Sequence, residues 1–170
     1  MDEFDAADAA AQLDSCQYLY LRDLGEPRDN SLRLVIQEAD ASGEVDASHP
    51  IVKLFGNAFG DYRKGELRSI VSDASSRSFE LYWDRYVAYA IHNEGFQGAD
   101  ETAESTGRLL RTHSRSRFLD YILESTFAAA VLDLPLVHFG IYCQNHNIDV
   151  VSTERPSIKI IAPQLPFNRN

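Results

Sequence analysis

Between Ser78 and Glu94 the chain reads SFELYWDRYVAYAIHNE, with apolar residues at every second position over nearly the whole stretch. Phe79, Leu81, Trp83, Val87, Tyr89 and Ile91 share one parity, interrupted by Arg85. A period of two puts successive side chains on opposite faces of an extended chain, so the stretch predicts a long strand with one buried face. A strand of that length bends or bulges, and Asp84 and Arg85 mark the expected place. The opposite parity carries Tyr82, Asp84, Tyr86 and His92, an unusual set for a face that meets only water.

Other segments supply partners for such a strand. CQYLYLRDL and SLRLVIQEA are β-rich runs joined by GEPRDN, whose Gly25, Pro27, Asp29 and Asn30 carry turn chemistry. ELRSIVSD gives a weaker strand pattern, and ADASGEVDASHP reads as an acidic loop. GNAFG, Gly56 to Gly60, has two glycines but lacks the lysine and hydroxyl residue of a phosphate loop, and is read as a turn within irregular chain. LVHFGIYC places Val137, Phe139, Ile141 and Cys143 on one strand face and His138, Gly140 and Tyr142 on the other, and IDVVST follows the turn QNHN as a further strand. Between them, Ser116 to Val131 has helical periodicity, with Phe118, Leu119, Ile122, Leu123, Phe127 and Val131 on one broad face and Ser114 or Ser116 as N-cap. The expected fold is α+β: a single domain over residues 15–162, with a curved antiparallel sheet of about five or six strands and this one main amphipathic helix packed on a face. Residues 1–14 read as an acidic flexible tail and 163–170 as an extended one, since Pro163 and Pro166 interrupt regular structure there.

Charge narrows the partners. The chain of 170 residues carries a formal net charge of −10. That field repels phosphate backbones and anionic membrane surfaces, so neither nucleic acid nor membrane is expected as a partner, and a basic protein is favoured. The N-terminus lacks the basic and apolar regions of a secretory signal, and no window reaches the ~20 apolar residues of a membrane helix. A soluble cytoplasmic protein is expected. Cys16 and Cys143 form no CxxC pair and sit among apolar or aromatic residues, as reduced buried thiols do.

The sequence holds no G-x-S-x-G, H-E-x-x-H, Walker-type glycine loop or Cys-rich zinc spacing. His138 and His146 would lie about 26 Å apart along a straight strand, too far to share an ion, so neither metal nor cofactor is expected. Two clusters remain. The first is the polar-aromatic set Tyr82, Asp84, Tyr86, His92, His138 and Tyr142, which shares a face if the two strands pair; Tyr offers stacking and a hydroxyl, Asp orients a His, and His moves a proton near neutrality. The second is Arg108, Arg111, Arg115 and Arg117 in GRLLRTHSRSRF, placed just before or within the first helical turn. Cations there oppose the helix dipole and suit either a small anionic ligand or the acidic loop Gly95 to Gly107.

Two functions follow as expectations. One is a non-catalytic binding or protein-interaction domain that neutralises a basic partner; antitoxin and immunity proteins share this acidity, a likeness of composition alone. The other is a small-molecule enzyme or ligand-binding protein that uses the His/Tyr/Asp face with the arginines as an anion handle.

Overall fold

A computed structural model of the chain describes residues 3–45 and 68–162. Its elements in chain order are helix α1 (Glu3–Ser15), strands β1 (Tyr18–Gly25), β2 (Leu32–Glu44), β3 (Arg68–Val71), β4 (Ser78–Trp83) and β5 (Ala88–Asn93), a 3-10 turn at Glu94–Phe96, strands β6 (Glu104–Thr106) and β7 (Leu110–Arg115), helices α2 (Arg117–Ser125) and α3 (Ala128–Val131), and strands β8 (Val137–Tyr142), β9 (His146–Ser152) and β10 (Ser157–Ile161). The strands form two five-stranded antiparallel sheets rather than one curved sheet. The first runs β1-β2-β4-β10 with β3 added on β2; the second runs β5-β9-β8-β7-β6.

The predicted long strand explains the pair of sheets. It breaks after Trp83, and residues 84–87 carry the chain from the first sheet to the second. Backbone bonds hold the crossing: Tyr86 N–H donates to Asn30 O at 3.1 Å and Val87 N–H to Val151 O at 2.8 Å. Before the break this parity faces the shared core; after it Tyr89 still packs there, but Val87 packs with α2 against Val151 and Ile91 is 44% exposed. Phe79, Leu81 and Trp83 of β4 meet Leu34 and Ile36 of β2, while Phe139 and Ile141 of β8 and Ile148 and Val150 of β9 close on them from the other sheet. Trp83 is fully buried, its ring centroid 6.1 Å from that of Phe139.

Residues 1–14 were expected as a tail, but α1 (Glu3–Ser15) occupies that stretch and enters this core. Ala9 and Leu13, one helical turn apart, are buried there together with Cys16. The helix end is clamped. Asp14 Oδ1 accepts the N–H groups of Arg108, Leu109 and Leu110 at 2.9, 2.6 and 3.1 Å, and the Arg108 guanidinium donates back to the carbonyls of Asp14 and Cys16. Gly107 makes this cradle possible: its φ is +92°, and a Cβ there would lie 2.1 Å from Leu110 O. Cys16 and Cys143 are both free and buried, and burial pushes Cys16 up to about 11.

The single long helix expected from Ser116 to Val131 is also divided. Thr126 adopts φ −130°, ψ 162°, its hydroxyl donating to Ile122 O at 2.8 Å and accepting from Ala128 N–H at 3.3 Å. A hydroxyl that bonds the local backbone competes with helix continuation, and α2 stops there. Consequently Leu119 and Ile122 pack on Val151 of β9, whereas Leu123, Phe127 and Val131 stay exposed. The acidic loop expected at 39–50 begins as strand, since β2 runs to Glu44. GNAFG and residues 163–170 lie outside the described residues. Among the described residues no helix is long and apolar enough to cross a membrane.

Candidate functional site

The outer face of the second sheet is built by register. Residues directly opposite in antiparallel strands point the same way. In β9 and β8 the pairs Asn147/Tyr142 and Asp149/Gly140 face outward; β5 adds His92 opposite Asn147, and β7 adds Arg111 opposite Gly140 and His113 opposite His138. α2 covers one end of this face over Val151. Over the rest lies a cleft of about 900 Å³, walled by residues of the 94–103 loop and by Arg117, Phe118 and Tyr121 of α2.

Asp149 occupies the centre. Its side chain is only 9% exposed, and each carboxylate oxygen meets an imidazole from a different flanking strand: Oδ1 lies 2.8 Å from His138 Nε2 and Oδ2 lies 3.1 Å from His92 Nε2. An ionised carboxylate only accepts, so Nε2 carries the proton in both rings. His138 Nδ1 then accepts from the Ser116 hydroxyl at 2.7 Å. Ser116 is the N-cap of α2, and its Oγ already accepts Leu119 N–H at 3.0 Å, which leaves its own proton for His138. The result is a hydrogen-bonded chain from the helix N-terminus through Ser116 and His138 to Asp149, with His92 held 3.1 Å from the carboxylate at ion-pair distance and out of hydrogen-bond alignment. Both nitrogens of His138 are used, and the ring is buried, stacked on His113 at 4.3 Å and met edge-on by Phe118 at 5.4 Å. His92 is different. Its side chain is 47% exposed, and among the described residues its Nδ1 makes no hydrogen bond.

Gly140 keeps the floor open. A Cβ there would come within 3.0 Å of His113 Nε2 and 3.1 Å of Tyr142 Oη, so its absence lets those two side chains close over the strand, 3.4 Å from each other. Burial first, then the neighbouring His138, holds His113 down to about 4, and it is neutral at pH 7; its Nδ1 is buried with no partner among the described residues. Burial, followed by the charge of Asp149, raises Tyr142. Arg111 lays its guanidinium over the Tyr142 ring, 4.5 Å from the centroid, and its Nε donates to Arg108 O at 3.1 Å. Asp100 from the loop ties the cleft to the helix start: its Oδ2 accepts Arg117 N–H at 2.7 Å and Oδ1 lies 3.5 Å from Arg117 Nε. The bond from the Arg117 backbone and a second from the Thr102 hydroxyl hold the Asp100 carboxyl down to about 2. Asn147 donates its amide to Gln97 Oε1 and fastens the same loop.

No protein-family model, curated protein or solved structure matches the chain.

Of the side chains singled out in the sequence, His92, His138, Tyr142, Arg111 and Arg117 line this cleft. Tyr82, Asp84 and Tyr86 do not, because the break after Trp83 leaves them away from the second sheet's outer face. Arg28 holds Tyr82 Oη at 3.0 Å and Asp84 Oδ1 at 2.5 Å, and Tyr86 donates to Glu26 at 2.8 Å beside Tyr89. Burial, then the bond to Glu26, pushes Tyr86 up to about 12. Arg108 is spent on the end of α1, and Arg115 is exposed at the end of β7 opposite Glu104. Sequence reasoning overlooked Asp149, Ser116 and His113 as site residues. One signal for Asp149 was present: a carboxylate between Ile148 and Val150 in a strand that is otherwise apolar must find partners.

Proposed function

We propose that this protein binds a small molecule in the outer cleft of its second sheet and moves a proton to or from it through His92. The observation that carries the reading is the bonded chain Ser116–His138–Asp149 with the half-exposed His92 set 3.1 Å from its carboxylate, Nδ1 without a partner among the described residues. The Asp149 carboxylate 3.1 Å away favours the proton on His92 Nε2, which leaves the Nδ1 lone pair as the accepting group toward the cleft. His138 and Ser116 are positioning residues, since neither has a free site for a ligand. A half-exposed base in a cleft with Phe118 and Tyr121 on its wall suits general acid–base chemistry on an O–H, N–H or activated C–H of a bound ligand.

Diethyl pyrocarbonate mapped by mass spectrometry, run beside an NMR fragment screen on histidine-labelled protein, tests it. His92 is expected to be acylated first, with His138 and His113 protected, and fragments that shift the His92 ring signals are expected to slow its acylation. Acylation of His138 as fast as His92, or a screen in which no fragment moves a cleft signal, refutes the reading.

A second reading, association with a basic protein partner, draws on the net charge of −10 and on the exposed apolar side chains Phe127, Val131 and Leu134. It predicts a cationic partner whose binding is lost in a Phe127→Ser/Val131→Ser variant and kept in His92→Gln.

A further inference from the structure

The arginines are unequally paired. Arg28, Arg33, Arg77 and Arg117 each meet a carboxylate within 4.0 Å, whereas among the described residues Arg111 meets none. Arg111 is nonetheless held in place, by the Tyr142 ring beneath it and the Arg108 carbonyl on its Nε. A half-buried guanidinium fixed on an aromatic face and against the Tyr142 hydroxyl, with no carboxylate within 4.0 Å among the described residues, is a preorganised donor for a carboxylate or phosphate oxygen. The other charges choose between these. Glu94, Asp100 and Asp149 line the same cleft as Arg111 and Arg117, so the lining is short of positive charge, and with Arg117 on Asp100, Arg111 is the lining cation left to face a ligand. A dianion is repelled there more strongly than a monoanion, which needs only the one cation. The wall supplies Phe118 and Tyr121, which suit a flat apolar body.

We infer that the ligand is a small monocarboxylate with a flat apolar body, its carboxylate on Arg111 and its body against Phe118 and Tyr121. The inference rests on the reading of this cleft as a ligand site, and names the chemical class that site takes.

Benzoate, its neutral isostere benzamide, and inorganic phosphate are the probes, titrated into full-length protein while the His92 and Tyr142 ring signals are followed by NMR at fixed ionic strength. Benzoate is expected to bind more tightly than benzamide or phosphate. Arg111→Gln is expected to weaken benzoate about tenfold or more, the loss of a charge-assisted hydrogen bond, and to leave benzamide unchanged. Arg115→Gln removes the same charge outside the cleft and is expected to change benzoate binding less than about twofold. Arg111→Lys, which keeps the charge and loses the fork, is expected to fall between wild type and Arg111→Gln, and covers the case in which the Gln variant unfolds. Benzamide binding as well as benzoate, or phosphate binding more tightly, overturns the monocarboxylate class and leaves the cleft a ligand site. Equal losses in Arg111→Gln and Arg115→Gln overturn the role of Arg111. No response to any probe overturns the class, and the wider fragment screen then decides separately whether the cleft binds small molecules at all.

Discussion

Replacing Asp149 by Asn separates the buried imidazole from the exposed one. The amide keeps one acceptor and turns the other oxygen into a donor, so only one of the two Nε2–H groups still meets an acceptor. With the amide oxygen on His138, the buried ring keeps its tautomer and its bond to Ser116, while the new donor faces His92 Nε2. His92 is 47% exposed and can exchange its proton with solvent, moving it to Nδ1. The opposite orientation makes His138 donate from Nδ1 and strands the hydroxyl proton of buried Ser116, at a cost of about 1–3 kcal/mol. The first orientation therefore wins. Exchanging a charge-assisted bond for a neutral one at His138 costs about 1 kcal/mol and losing the half-exposed ionic contact at His92 costs less, so Asp149→Asn is expected to lose about 1–2 kcal/mol. Asp149→Ala leaves the His138 Nε2–H buried with no acceptor and is expected to lose about 2–4 kcal/mol, part of which is offset by no longer burying a charge. Urea unfolding followed by far-UV circular dichroism measures both, and long-range ¹H–¹⁵N imidazole spectra read the tautomers. In the Asn variant His92 should change from Nε2–H to Nδ1–H with His138 unchanged, which removes the accepting nitrogen from the cleft while the fold persists. A switch at His138 instead, or equal costs for Asn and Ala, refutes the relay.

Two further outcomes are expected. Trp83→Ala should cost about 3–5 kcal/mol, because the ring is fully buried between the sheets; a solvent-exposed emission spectrum from the single tryptophan of the folded wild type contradicts that placement. His113 should make stability depend on pH. Its folded value near 4 lies below the ordinary 6.5, so between those values the unfolded chain holds more protons, stability rises with pH, and the contribution is complete above about 6.5. The displacement corresponds to at most about 3 kcal/mol. His138, Asp149, Arg111, Asp100 and Tyr142 surround it and titrate or carry charge in both proteins, so the difference between wild type and His113→Asn isolates the term. A difference that stays constant from pH 7 to pH 4 contradicts the assignment.

How much of this was legible depended on what each face meets. The alternation around Trp83 and along Val137 to Cys143 was readable because one side of each strand enters an apolar core and the other does not. β7 escaped notice for the converse reason: its outward Arg111 and His113 line a cleft, its inward Leu110 and Thr112 alternate weakly, and the arginines drew attention to the helix that follows. α1 was read as a tail because the alanines around Leu13 look too small to anchor a helix, yet small side chains let it seat closely, and its acidic Asp14 fills a backbone cradle ninety-odd residues away in sequence. The union of His92 with His138 was reachable only through register. The two strands were expected to pair directly, but β9 lies between them, and its Asp149 makes the connection.

β9 itself supports reading the polar cluster as more than sheet cover. Along its outer parity, Val151 lies beneath Leu119 and Ile122 of α2, and burial there is apolar and complete. Two residues earlier, where α2 no longer covers the sheet, the same face becomes Asp149 and then Asn147, both still buried. A valine at 149 would have continued the pattern without desolvating a charge, and an apolar replacement of a buried ionic group of similar volume is often neutral or stabilising. Stability alone therefore gives no reason for a buried carboxylate that needs two imidazoles and a helix cap to satisfy it. The arrangement ends at one half-exposed imidazole, separated by two strands across the same cleft from an arginine that meets no carboxylate among the described residues, a feature of the kind that carries a cost to the fold at functional sites.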